Sequence, residues 1–359
     1  AGDPAAAIAA YDDVVARFAD AREPALREWG AMALVNKGAA FGEAGDYAAA
    51  IAAFDDVVVR FADAQEPALK KQVAMALVNK GVAFGEAGDH AAAIAACDDV
   101  VARFADAREP ALREGVARAL VNKGVAFGDA GDHAAAIAAY DKVVERFADQ
   151  DDSELKDIVA TARVRLGNIL LYFKNDIPRA EQLFRLAAAV QPLVAKRNLA
   201  WLYLLDERMS DAIELREDLT ELPEPGLSLI DAGLQLAQQN FGSATERLAI
   251  ALERGLNGGS FDFSDDLVRF LRLAKRKGYG EPLIAWFEAT GFADRLAPIY
   301  VALKAYVRGE RALLDANPET RGPARAIFDR LVAPGPVEQG AEARSSQGKR
   351  PRGRPRKKS

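Results

Sequence analysis

The sequence contains few residues of the types on which metal sites and most nucleophilic enzymes depend. Its 359 residues include one cysteine and two histidines. A lone cysteine excludes an internal disulfide, and so few thiols and imidazoles leave almost no ligands for zinc. Phosphate-loop, His-Glu-x-x-His and Gly-x-Ser-x-Gly motifs are also missing from the sequence. We therefore predict a noncatalytic protein that uses no metal and no cofactor.

Long apolar runs and aromatic side chains are scarce as well. No run approaches the ~18 apolar residues of a membrane span, and the sequence does not open with a basic and then apolar leader. Half of the residues are hydrophobic but only 8% are aromatic, and alanine, the strongest helix former, supplies much of the difference. These features predict closely packed helices, no membrane partner and a cytoplasmic location that is compatible with association with the nucleoid or chromatin.

A period of 43 residues is the clearest feature of the chain. The string Ala-Leu-Val-Asn-Lys-Gly begins at Ala33 and returns at Ala76 and Ala119. Residues 67–109 and 110–152 are identical at 32 of 43 positions. Self-similarity at a fixed spacing is typical of repeat architectures.

Each repeat divides into two helical halves. The first half opens with a proline, at Pro24, Pro67 and Pro110, and ends at a Gly-Asp pair such as Gly45-Asp46. Proline suits the first turn of a helix, glycine permits a left-handed helix stop, and aspartate can cap the next helix. The second half carries apolar residues at helical spacing. Each repeat is therefore predicted to be a helix-turn-helix pair.

These residues resemble the tetratricopeptide repeat family. In the second repeat the family's pattern of small, aromatic and apolar positions falls on Gly81, Phe84, Gly88, Asp89, Ala93, Cys97 and Val100. The similarity is strong over residues 1–152 and weaker to about residue 254, and each repeat is longer than the usual ~34 residues. The resemblance implies an all-α fold, a right-handed α-solenoid of helix-turn-helix repeats that binds proteins or peptides in a concave groove.

Four segments are expected along the chain. Residues 1–152 hold the near-identical repeats, the first of them truncated, and residues 153–254 hold degenerate repeats. Residues 255–333 form a helical C-terminal subdomain, broken near Gly278-Tyr279-Gly280 and at Pro318. Residues 334–359 form a disordered basic tail.

One face of the first helix of each pair is the candidate peptide site, because that helix lines the groove in the family. In the first repeat, Leu34, Gly38 and Phe41 are predicted to pack inward, away from this face. We call the twelve outward positions the groove strip. They are Met32, Asn36, Ala39, Glu43, Met75, Asn79, Val82, Glu86, Arg118, Asn122, Val125 and Asp129.

Two chemical features recur along the groove strip. Asn36, Asn79 and Asn122, with Asn198 as a candidate fourth member, could form a ladder of amides that pair with a peptide backbone. The alternative is that duplication copied them and that they bond only to a neighbouring repeat. Acidic residues at one end of each helix favour a neutral or basic partner, unless they are only solvated surface charge.

Other recurring polar residues are predicted to be structural. His90 and His133 occupy equivalent positions in successive repeats, too far apart to share a metal ion. Cys97 stands where other repeats have an aromatic residue, which indicates an inert buried thiol. Adjacent acidic pairs such as Asp55-Asp56 point apart on a helix and are read as surface charge.

The last residues have a different composition from the rest. From Arg344 onward there are eight basic and no acidic residues, so the remainder of the chain carries a net charge of −14 within the total of −6. The tail resembles the AT-hook, with Pro351-Arg352-Gly353-Arg354-Pro355 as its core and Lys349, Arg350, Arg356, Lys357 and Lys358 as basic flanks. This resemblance implies insertion of Arg352 and Arg354 into the minor groove of A·T-rich DNA. The alternatives are a generic basic tail that binds any polyanion, a solubility tail and a targeting signal.

Three functions remain open from the sequence, of which the third is a plain protein-interaction chain with an incidental basic tail. The first is a noncatalytic interaction scaffold whose groove binds a peptide or protein and whose tail binds A·T-rich DNA. The sequence also opens within a repeat, at Ala1-Gly2-Asp3, which suggests a fragment. The second function is therefore the sensor arm of a larger signalling protein with an upstream nucleotide-binding or enzymatic domain. The oligomeric state is not indicated.

Overall fold

The computed structural model describes residues 4–222, 225–257 and 264–332. All regular secondary structure in these ranges is helical, and no strand occurs among them. The prediction of an all-α fold is confirmed. Contacts divide the chain into two compact units that separate between Leu166 and Gly167, and the finer boundaries expected from the sequence stay predictions. No helix in the described ranges is both long and apolar enough to cross a membrane.

The first unit alternates long and short helices. In chain order they are α1 (Pro4–Phe18), α2 (Pro24–Glu43), α3 (Tyr47–Phe61), α4 (Pro67–Glu86), α5 (His90–Phe104), α6 (Pro110–Asp129), α7 (His133–Phe147) and α8 (Ser153–Ile169). Each helix from α1 to α6 packs against the next along the chain, and α4 also contacts both α2 and α6. This is the stacking of helix pairs expected of a solenoid.

The turn between the helices of a pair forms as its sequence predicts. Gly45 has a φ of 79°, a left-handed conformation that favours glycine. The Asp46 carboxylate then accepts a hydrogen bond of 3.0 Å from the backbone amide of Ala49 and caps α3. The same turn and cap recur before α5 and α7. Each Gly-Asp pair therefore ends one helix and begins the next.

The core of the first unit lies between the helices of each pair. Ala50, Phe54 and Val57 of α3 are buried, and the ring of Phe54 packs directly on Gly38 of α2. The equivalent α1 residues, among them Tyr11 and Val14, are only half-buried. The apolar side of α1 is thus less covered than that of α3.

The second unit begins at the end of α8 and is less regular. After a π-helix (Leu170–Lys174) come α9 (Ile177–Ala188), α10 (Pro192–Leu205), α11 (Met209–Glu217), α12 (Gly226–Ala237), α13 (Phe241–Asn257), α14 (Ser264–Arg276), α15 (Gly280–Ala289), α16 (Phe292–Arg295), α17 (Ala297–Arg308), a 3-10 helix (Arg311–Asp315) and α18 (Arg321–Val332). The break between α14 and α15 contains Gly278, whose φ is 84°. Pro318 lies between the 3-10 helix and α18, so both predicted breaks are confirmed.

Candidate binding groove

The groove strip lies on the uncovered side of α2, α4 and α6. None of its twelve members is buried, whereas Leu34, Ala76 and Ala119 on the opposite side of the same helices are buried. Helical periodicity alone separates the two sides. The prediction that Leu34 and Gly38 pack inward is confirmed, whereas Phe41 is only half-buried. Phe41 stays partly exposed, with the Lys37 ammonium 5.8 Å from its ring centroid.

Two neighbouring cavities lie along this strip. One cavity, of about 350 Å³, is lined by Ala39, Glu43 and Asn79. The other, of about 370 Å³, is lined by Asn122, Val125 and Asp129. Val82 and Glu86 of α4 line both cavities. Eight members of the strip are therefore brought together, while Met32, Asn36, Met75 and Arg118 lie outside both cavities.

The asparagines of the strip are available to a ligand. Within the described residues, no hydrogen bond joins the amides of Asn36, Asn79 or Asn122 to another protein group. The alternative that these amides bond to a neighbouring repeat is therefore not what the structure contains. Asn79 and Asn122 occupy successive cavities, so two equivalent amides are presented in adjacent repeats.

Asn198 does not extend the amide ladder, and this correction has a clear physical cause. Its side chain is 1% exposed. Its Nδ2 donates a 2.8 Å hydrogen bond to the Val194 carbonyl, and its Oδ1 accepts one of 2.7 Å from Arg269. Because both ends of the amide are used inside the protein, Asn198 is a core residue.

Arg165 lines the second cavity and was missed by the sequence reasoning. It lies 43 residues after Asn122, so it occupies the asparagine position of the next long helix, α8. Continuing the period by one step would have found it. Arg165 also interacts with Tyr140. Burial raises the pKa of Tyr140 to about 12, although Arg165 acts to lower it. The second cavity is thus lined by a cation, Arg165, as well as by the acids Glu86 and Asp129.

The lysine beside each repeated asparagine has a structural partner. The Nζ of Lys37 donates a 2.6 Å hydrogen bond to Asp12, and the pairs Lys80–Asp55 and Lys123–Asp98 repeat this contact. Asp56, the second acid of its pair, instead binds Arg60 four residues later. Adjacent aspartates therefore point apart, as predicted, and act in helix-to-helix and within-helix ion pairs.

The cysteine and the two histidines are not arranged for nucleophilic or metal chemistry. Cys97 is buried against Gly81, and burial raises the pKa of its thiol to about 12. The thiol is therefore protonated at neutral pH and is a poor nucleophile. His90 and His133 begin α5 and α7, and no cluster of three potential metal ligands occurs among the described residues.

The DNA-binding residues predicted in the tail, 349–358, lie outside the described residues. Their role stays a prediction from the sequence. The groove strip is therefore the candidate site for which the structure supplies contacts and distances.

Comparison with known proteins agrees with the repeat geometry. Two models of the tetratricopeptide repeat match the chain, one over residues 35–108 and the other over residues 117–150. Among solved structures, the chain is similar to BtubC (BKLC) from P. vanneervenii, with 16% identity, 70% of this chain and 91% of that chain covered, and a TM-score of 0.46.

It is also similar to a tetratricopeptide repeat protein from Parabacteroides merdae ATCC 43184, with 15% identity, 69% and 87% of the two chains covered, and a TM-score of 0.45. No curated protein gives a significant match to the sequence. The repeat models, together with the capped helix pairs of the first unit, are sufficient for one conclusion: the chain contains tetratricopeptide repeats within residues 35–150.

Proposed function

We propose that the chain is a noncatalytic scaffold whose groove strip binds an extended peptide or a protein segment. The observation that carries this proposal is the sharing of Val82 and Glu86 by two consecutive cavities. A ligand that fills one cavity reaches the next without crossing a buried region. Tetratricopeptide repeats in other proteins use a concave surface of this kind for binding, which supports the same class of function.

The chemistry of the strip favours a neutral or basic segment. Asn79 and Asn122 each offer an amide donor and an acceptor, which suit a peptide backbone of any sequence. Val82 and Val125 lie between the amides and the acids of the strip and offer apolar contact to the ligand. Glu43, Glu86 and Asp129 are exposed acids, which attract basic side chains and speed their association.

A peptide selected from a displayed random library on the full chain tests this proposal. Changing Asn79 and Asn122 together to alanine should weaken binding about tenfold, because each lost hydrogen bond costs about 0.5–1.5 kcal/mol. Asn36→Ala is the matched control, since it removes the same side chain from the same repeat position outside the cavities. Equal losses in both variants would contradict the proposal, as would a library that yields only acidic peptides.

We also propose that the tail tethers the scaffold to A·T-rich DNA. Support comes from the sequence of residues 349–358, where Gly353 permits close approach and two arginines fit a narrow minor groove. Replacing Arg352 and Arg354 by alanine should abolish the preference for A·T-rich over G·C-rich duplex. The same change at Lys357 and Lys358 should weaken both duplexes equally, because phosphate contacts are insensitive to sequence. An unmodified chain without this preference would exclude the tether.

A further inference from the structure

A separate cavity of about 160 Å³ lies in the second unit, among the end of α8, the π-helix, α14 and α18. Its size is close to the ~150 Å³ of an engineered protein cavity that holds benzene. Ile169, Phe173 and Val268 form apolar parts of its lining, whereas Tyr172 and Arg269 bring polar atoms to it. The cavity is therefore amphipathic and large enough for a small organic molecule.

Two buried donors of this lining lack a complete hydrogen bond. The Tyr172 hydroxyl and Arg269 Nε are both inaccessible to solvent, and neither makes a hydrogen bond of good geometry within the described residues, although the Arg269 guanidinium lies close enough to the Tyr172 hydroxyl to interact with it. The other nitrogens of Arg269 are engaged, Nη1 with Asp266 at 2.9 Å and Nη2 with Asn198 at 2.7 Å. Unpaired buried polar atoms are rare because they are costly. Two of them at one cavity indicate a bound partner that accepts hydrogen bonds.

The charge at the cavity selects the type of acceptor. Among the described residues, Arg269, Arg272 and Arg330 line the cavity together with one acid, Asp265, which pairs with Arg330. Arg269 and Arg272 lie 5.4 and 5.3 Å from the centroid of the Tyr172 ring. Burial raises the pKa of Tyr172, so the phenol stays protonated and donates. An anionic acceptor fits this surrounding better than a neutral one.

The backbone at the cavity is unusual as well. Tyr172 and Phe173 belong to the π-helix, and the chain leaves it through Asn175, a residue with a φ of 54°. π-Helical turns are rare and occur frequently at functional sites. Here the π-helix brings a hydroxyl donor and an aromatic ring to the same cavity.

We propose that this cavity binds a small organic carboxylate. The carboxylate accepts hydrogen bonds from the Tyr172 hydroxyl and Arg269 Nε, and its apolar portion packs on Phe173 and Val268. The site is independent of the groove strip, since all of its residues belong to the second unit. It adds small-molecule binding to the peptide binding proposed above.

Titration of the full chain with benzoate tests the proposal, with benzamide as the uncharged probe of nearly the same shape. Benzoate should bind and raise the midpoint of thermal unfolding, and benzamide should bind at least tenfold more weakly. Tyr172→Phe removes one donor and should weaken benzoate binding about tenfold. Tyr279→Phe is the matched control, because its hydroxyl bonds to the Gln239 carbonyl away from the cavity, and it should leave benzoate affinity unchanged.

Val268→Phe fills the cavity without touching either donor and should abolish benzoate binding in a chain that still unfolds cooperatively. The proposal is overturned if benzoate does not bind at millimolar concentration, if benzamide binds as tightly, or if Tyr172→Phe has no effect. Inorganic phosphate is the final probe. If it displaces benzoate at equal concentration, the site recognises an inorganic oxyanion and the assignment to organic carboxylates fails.

Discussion

The ring of Tyr140 lies against Gly124 so closely that a Cβ atom at Gly124 would come within 2.6 Å of it. The equivalent Gly81 faces Cys97 instead, and there the nearest atom, Sγ, would be 3.2 Å away. The same repeat position is therefore tightly filled in one pair of helices and loosely filled in another.

Gly124→Ala should lower the free energy of unfolding by about 1–3 kcal/mol, because the added methyl group overpacks the Tyr140 ring. Gly81→Ala should be close to neutral, since alanine gains about 1 kcal/mol in helix propensity and the sulfur can shift slightly. Chemical denaturation of the two variants measures the difference. A Gly124→Ala chain as stable as Gly81→Ala would contradict the packing explanation.

Cys97 should be unreactive in the folded chain. Burial raises the pKa of its thiol from 9.0 to about 12, so the thiolate fraction at neutral pH falls about a thousandfold. A colorimetric disulfide reagent should label the thiol only as fast as the chain unfolds. In denaturant the lone thiol should react completely, which controls for its oxidation, and rapid labelling of the native chain would show that the thiol is accessible.

Stability should depend on pH through Glu181. Burial acts to raise the pKa of this carboxyl, but hydrogen bonds from Arg208, Arg185 and Tyr203 outweigh it and hold the pKa below its usual value of 4.5. A lowered pKa in the folded state stabilises the fold above about pH 4.5, and this contribution is lost as the pH falls further.

Glu181→Gln should therefore reduce stability at pH 7 and have a smaller effect near pH 3. Urea denaturation at both pH values measures it. Glu214→Gln, a change at an exposed position of α11, is the matched control and should have little effect at either pH. An effect of Glu181→Gln that does not vary with pH would exclude the ion-pair explanation.

Arg165 should set the charge preference at one end of the groove strip. Arg165→Asn restores the residue of the earlier repeats, so a selected basic peptide should bind more tightly, by up to about fivefold, and an acidic one more weakly, because an exposed charge contributes about 0.2–1 kcal/mol. The difference should shrink as salt is added. Fluorescence anisotropy at two ionic strengths measures both effects, and tighter binding of the acidic peptide would reverse the assignment.

The first unit could be predicted from the sequence because its information is local and repeated. Pro24 and Asp46 each act on the helix that they begin, so three copies of one signal place the helices. Within each helix, the helical period of ~3.6 residues separates the outward Asn79 from the inward Leu77. Arg165 was available to this reasoning but breaks the residue identity on which it relied.

Long-range polar contacts could not be found in this way. Asn198 looks like a further amide of the ladder, but its environment is decided by Arg269, a residue 71 positions away on α14. The cavity at Tyr172 depends on the same helix. Neither position recurs along the chain, so no period identifies them.

The double role of Val82 and Glu86 has an evolutionary consequence. Because each of these side chains lines two cavities, one substitution at either position is expected to change what both cavities accept. Under the proposed binding function, adjacent repeats would therefore not change their ligand preferences independently across α4.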